Sequence, residues 1–352
     1  MGLFYVLFFV LVAILSPFIR KDKSVNANEQ NLMISKQHPG FSVQVFEELS
    51  AQEENNLVSR WIKDGSQKLS TSIAITAYSF GEDSLYLELF SPFEESIQEK
   101  KAFQVEGLTS NSTLDDLEAL APHLSIEKAN YLLGTDKYGR DLLSRLISGS
   151  RISISVGFVA VLISLLVGVT LGACAGYFGG RTDQIISWLI NVVWSIPTLL
   201  MVIAITLAFG KGFWQVFIAV GLTMWVEVAR IVRGQFISLK EQEYIQAAKA
   251  LGYSHSRIMF KHMLPNATGP LIVISAANFA AAILVEAGLS FLGIGAQIPT
   301  PSWGNMIKEH YALITTDLAY LAIIPGLLIM GLVLAFMLIG NGLRDALDVK
   351  SA

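Results

Sequence analysis

Glu227, Asn278 and Glu286 stand where unbroken apolar stretches should exclude them. A carboxylate in such surroundings is costly and ordinarily faces a cavity or a partner. Glu286 can serve a translocation pathway, or it can fix helix packing through an inter-helix hydrogen bond. Asn278 suits the gluing of helices, and Glu227, one turn before Arg230, suits a local ion pair. His255 and His262 are seven positions apart with no carboxylate array beside them, so no metal site is expected. The single cysteine, Cys174, lies in an apolar run, which excludes a disulfide framework and reads as packing. Covalent and nucleotide chemistry lack their parts: the chain has no G-x-x-x-x-G-K-[ST], no G-x-S-x-G and no H-E-x-x-H. No catalytic residues are expected, and the chain is not read as an enzyme.

The elements that position these residues follow from hydropathy. Of the 352 residues, 53% are hydrophobic and 15% charged, which is a membrane composition. A net charge of -4 leaves no basic excess for a nucleic-acid partner. About 20 apolar residues cross a bilayer as a helix, and six segments qualify: Leu3 to Ile19, Ile152 to Phe178, Ile185 to Phe209, Phe213 to Ile231, Leu271 to Ile294, and Leu318 to Ile339. The expected fold is therefore an all-α integral membrane protein. Residues 1–20 read as an amino-terminal anchor helix, since the flanks of a cleaved signal peptide are missing. Residues 21–130 form a polar insert in which "FSVQVF" from Phe41, "TSIAITAYSF" from Thr71 and "LYLELF" from Leu85 suggest strands. A small mixed α/β domain or an irregular loop fits it. Residues 131–151 suggest an interfacial amphipathic helix with Leu142, Leu143, Leu146 and Ile147 on one face. The membrane core is expected over 152–345, and a tail over 346–352. Pro197 and Pro325 break their spans, through shape or as gates.

Cytoplasmic loops carry the excess of Lys and Arg. The segment after the fourth span holds Arg230, Arg233, Lys240, Lys249, Arg257 and Lys261 and is assigned to the cytoplasm. Counting crossings then puts the amino terminus inside and the insert outside, against the dissent of Arg20, Lys21 and Lys23. In that segment, Tyr244 to Leu251 is helix-prone with Ala247, Ala248 and Leu251 as a small apolar surface. Gly252 permits a left-handed turn, and a second short helix from about Ser254 is expected to end at Pro265.

"QAAKALG" followed after nine residues by "HMLP" resembles the EAA loop of ABC importer permeases. The resemblance falls on Gln246, Ala247, Ala248, Gly252, Leu264 and Pro265, with Leu251 beside them. Gln246 replaces the usual acid, and His262 a usual apolar residue. Further blocks resemble the C-type permease of oligopeptide, dipeptide and nickel importers: "LGTDKYGRDLLSRLISGSRISISVG" from Leu133, "GYFGGRTDQIIS" from Gly176, "SIPTLL" from Ser195, "EAGLSFLGIGAQIPTPSWGNMI" from Glu286 and "NGLRDALD" from Asn341. The resemblance implies a five-helix permease core in a bacterial inner membrane, coupled through loop 243–265 to two ABC ATPase subunits that use ATP and magnesium. It also implies a homologous second permease and an extracytoplasmic solute-binding protein. No cofactor is expected on this chain. Glu286, Asn278 and Pro197 become candidates for the pathway or for helix packing. Pro301, Ser302, Trp303, Gly304 and Asn305 become candidates for docking at the outer mouth, or for a structural loop that closes it. Competing readings are a membrane-anchored sensor or scaffold working through its insert, a permease for nickel or another small solute, and an ion-driven secondary transporter.

Overall fold

A computed structural model describes residues 1–52, 57–66, 68–92, 99–210, 212–297 and 299–347. The tail expected over 346–352 lies outside them past Leu347. An apolar first helix α1 (Gly2–Ile19) leads into the insert. There β1 (Phe41–Gln52), α2 (Leu57–Ile62), β2 (Lys68–Gly81), β3 (Ser84–Leu89), β4 (Lys100–Gln104), α3 (Leu114–Leu120) and β5 (Leu124–Tyr131) follow in order. The strands make one antiparallel sheet in the order β4-β3-β2-β1-β5. Phe46 pairs with Ile73 on one side and Ile126 on the other, and with Ile75, Leu85 and Leu87 it forms a core closed by Leu108 and Leu117. Thr113 and Asp116 cap α3 reciprocally.

α4 (Leu142–Phe178) is 37 residues long, about 55 Å at the usual rise. The separate interfacial helix expected over 131–151 does not form. Asp141 caps α4, its carboxylate accepting from the Ser144 amide at 3.0 Å, and nothing breaks the helix before Gly179. Leu142, Leu146, Arg140 and Arg145 are all buried, the reverse of an interfacial face. Arg140 bridges Asp136 and Glu309, each at 2.6 Å, and Arg145 lies against the same two acids. A charge that finds its partners inside the protein has no need of the lipid interface.

The third expected span, Ile185 to Phe209, is not one straight helix. α5 (Gly180–Trp194) and α6 (Thr198–Phe209) meet at a bend of 92° around Ser195 to Pro197. Pro197 lacks the amide hydrogen that continuation requires. α7 (Phe213–Lys240), α8 (Glu243–Ala250), α9 (His255–Arg257), α10 (Thr268–Phe291), α11 (Trp303–His310) and α12 (Tyr320–Leu347) complete the chain. Among the described residues, five helical segments are long and apolar enough to cross a membrane, or six if the bent pair counts as one span.

α4 packs on α7 through Gly168, Gly172 and Gly176, spaced four apart. A Cβ at these positions would stand 2.7, 2.5 and 2.7 Å from the backbone oxygens of Trp225, Ala229 and Arg233. Small residues at this spacing let helix backbones touch in a membrane. The bidentate pair of Arg233 with Asp183, at 2.7 Å for its second contact, ties α5 to α7.

The insert is latched to the membrane helices by Asp64. Its carboxylate receives Arg20 at 2.8 Å, Arg151 at 3.0 Å and the hydroxyls of Ser16 and Ser148. Arg20 is therefore committed to an internal partner.

Candidate coupling loop and membrane cavity

α8 follows α7 after a short turn at Glu241 and Gln242. Ile245 and Ala248 point inward, packing with Ile258 and Met263 against Val232 and Phe236. Tyr244, Ala247 and Leu251 point outward, with Leu251 72% exposed. The spacing i, i+3, i+7 makes these three one stripe. The apolar surface expected from Ala247, Ala248 and Leu251 is corrected accordingly: Ala248, only 5% exposed, is the floor of the loop and not its face.

Gly252 turns the chain at φ +74 with open space around it, so it is required by backbone conformation and not by crowding. The amide of Gln246 donates to the Lys240 carbonyl at 2.8 Å and satisfies one of the free carbonyls at the end of α7. A carboxylate at this position could not make that bond.

The expected stop at Pro265 is also corrected. After α9 the helix widens over Ile258–Met263, tightens over Leu264–Ala267, and continues into α10. Pro265 sits at the start of the tightened turn, where a missing amide hydrogen breaks no ladder bond. Leu264 is half-buried and Pro265 exposed at the loop's edge. His255 and His262 are not brought together as ligands. His255 meets the Tyr177 hydroxyl at 2.8 Å, and His262 stacks on Tyr253.

A cavity of about 250 Å³ lies in the angle between α5 and α6, against α7 and α10. Asn278, Thr223, Thr198 and Glu227 supply its polar lining, and Trp194 and Met201 are among its apolar walls. Pro197 makes the bend that opens it. Asn278 also donates towards the Met224 carbonyl at 3.5 Å, a long bond that ties α10 to α7. The expected Glu227–Arg230 pair is absent among the described residues. Arg230 instead lies over the Trp194 ring at 4.2 Å.

Glu286 is elsewhere. It is 1% exposed and accepts from the Ser290 hydroxyl at 2.6 Å, so its position favours helix packing over the pathway. Pro301, Ser302, Trp303, Gly304 and Asn305 are all buried, which corrects the outer-mouth docking expectation. The Trp303 indole donates to the Leu146 carbonyl at 3.0 Å beside Gly149, and Asn305 donates to the Ala296 carbonyl. This stretch closes the loop onto α4. Asp136, Glu309 and His310 converge nearby, but Arg140 already spans both carboxylates, and burial pushes His310 below its ordinary pKa.

Residues 168–350 match the family model described as binding-protein-dependent transport system inner membrane component. The dipeptide transport system permease DppC of Alkalihalophilus pseudofirmus is 36% identical over 299 residues, covering 85% of this chain and 93% of the relative. The oligopeptide transport system permease OppC of Bacillus subtilis is 41% identical, over 63% of this chain and 72% of the relative. A methionine ABC transporter solved in an inward-facing conformation aligns with a TM-score of 0.48 at 18% identity, over 57% of this chain and 95% of that one.

Proposed function

We propose, from the premise that this chain belongs to the family of binding-protein-dependent transport system inner membrane components, that it imports dipeptides or oligopeptides. It is a multi-pass membrane permease of the ABC importer class and performs no covalent chemistry itself. Its half of the pathway pairs with a homologous second permease. Two ATPase subunits bind and hydrolyse ATP with magnesium on the cytoplasmic side, and a solute-binding protein delivers peptide from outside. The amino terminus and α8 lie in the cytoplasm, and the insert over 21–130 lies outside. The basic loop after α7 supports that orientation, as does Arg20, whose charge is spent on Asp64.

The observation that carries this reading is the junction of α7 with α8. The middle of α7 lines the cavity, and its last residue leads into α8, where Tyr244, Ala247 and Leu251 are exposed above a buried floor. When the ATPases close on ATP, they move α8, and α7 moves with it. The cavity then opens to the outer side in place of the inner. The test is to purify the tagged chain from membranes and identify its partners by mass spectrometry, then to reconstitute the complex and measure ATP-dependent uptake of labelled dipeptide. Recovery of a second permease and ATPases with uptake is expected. Normal membrane insertion without any ATPase would overturn the reading.

A further inference from the structure

We propose that the Glu227 carboxylate is the stopping place inside the membrane for the substrate's cationic amino group, an inference that rests on the peptide-import reading above. Glu227 is the fifteenth residue of α7, about 21 Å along the axis from its first. It is exposed and lines the cavity at the α5–α6 bend. No ion pair or hydrogen bond to it is found among the described residues, because the cation one turn on, Arg230, is held over Trp194. A carboxylate at this depth is expensive unless it faces a cation or a wet cavity. The neighbouring Asn278, Thr223 and Thr198 supply the donors and acceptors that a peptide backbone needs, while Trp194 and the thioethers of Met201 and Met224 accept side chains of varied shape. A free peptide brings one ammonium in every case, whatever its side chains. A carboxylate with adaptable walls thus binds what all such substrates share and tolerates what differs.

The experiment uses the assembled importer in proteoliposomes. Glu227→Gln is expected to lower ATP-driven import of a free dipeptide about tenfold or more, the usual worth of a hydrogen bond to a charged group. The purified complex should keep its second permease and ATPases, and Glu227→Asp should recover part of the import. Unchanged import by Glu227→Gln overturns the proposal. So does loss of the second permease from the Glu227→Gln complex, since the carboxylate would then be an interface group. If the wild-type complex imports no dipeptide at all, the peptide reading fails, and this proposal falls with it.

A separate observation concerns lipid. We infer that α2 is an anchor of the insert in the bilayer interface. Leu57, Val58, Trp61 and Ile62 are exposed on one face of this short helix. The Trp61 indole donates to the Ile14 carbonyl at 2.9 Å, five residues or about 8 Å before the end of α1. Ile14, Phe18 and Ile19 are exposed apolar residues of that helix, which is long and apolar enough to cross a membrane, so the face of α2 continues its exposed apolar surface. Arg60 reaches the Pro17 carbonyl at 3.2 Å, and Arg151 lies over Trp61 at 4.7 Å. Tryptophan with flanking arginines belongs at headgroup depth. In the full chain with Cys174→Ser, a nitroxide on Val58→Cys in nanodiscs of phosphatidylcholine and phosphatidylglycerol should collide more with oxygen than with a water-soluble nickel chelate. Preferential access to the chelate overturns the inference, and so does protection from both reagents, which would mean a protein partner on this face.

Discussion

Leu251→Glu is expected to strip the ATPase subunits from the permease while leaving its membrane insertion and thermal stability unchanged. Leu251 is 72% exposed, so the substitution removes no packing within the chain and costs the fold no more than about 0.5 kcal/mol. Docking is another matter. An exposed apolar residue at the centre of an interface contributes about 2–4 kcal/mol when it is an anchor, and a glutamate must in addition be buried without a partner. Affinity should fall by about a hundredfold or more, and ATP-driven uptake with it. Co-purification yields and uptake rates read the effect directly. Ala248→Glu separates the two roles of the loop. Ala248 packs on the floor with Ile245 and Met263, so its variant should lose stability before it loses partners. Retention of the ATPases by Leu251→Glu would show that α8 presents some other face.

The second large effect is expected at the latch between insert and membrane. Asp64→Ala leaves Arg20, 1% exposed, without its counter-charge and frees Arg151 and two serines as well. Breaking a buried pair by removing one member costs about 3–5 kcal/mol. Thermal unfolding of the purified chain in detergent should shift down, and limited proteolysis should cut the insert sooner. Asp64→Asn is the informative control. Residue 64 has φ +48, which asparagine tolerates, so that variant removes the charge and spares the backbone. Equal loss in both variants assigns the effect to charge. Loss in the alanine variant alone assigns it to backbone conformation.

What the chain's order made readable was local. Apolar runs of about 20 residues located the spans, alternating runs located β1 to β3, and Ala247, Gly252 and Pro265 marked the loop after α7. Inward and outward sides of α8 were harder, because Ala247 and Ala248 look alike until Ile258 and Met263 fold back over one of them. Least legible were charges whose partners lie far off along the chain. Arg140 meets Glu309 across 169 positions, and Arg20 meets the backbone of residue 64 across 44. Short-range periodicity treats such arginines as surface residues, which is how an interfacial helix came to be expected where a buried network stands. Glu227 failed for the opposite reason. A convenient neighbour in sequence, Arg230, had a better partner in Trp194. The glycines at 168, 172 and 176 were visible at their spacing of four, and that signal was available to mark a close helix contact.

Those glycines bring the backbones of α4 and α7 into direct contact at three successive turns. Side chains can swing and absorb displacement, whereas backbone pressed on backbone cannot, so the two helices act as one beam. The beam carries α8 at one end and Ser148 and Arg151, the seats of Asp64, at the other. The 92° bend of α5 and α6 at Ser195 to Pro197 stands beside it. A displacement at the α8 end of the beam therefore reaches the foot of the insert, so the coupling proposed at Leu251 carries the further expectation that the insert reports nucleotide state across the membrane.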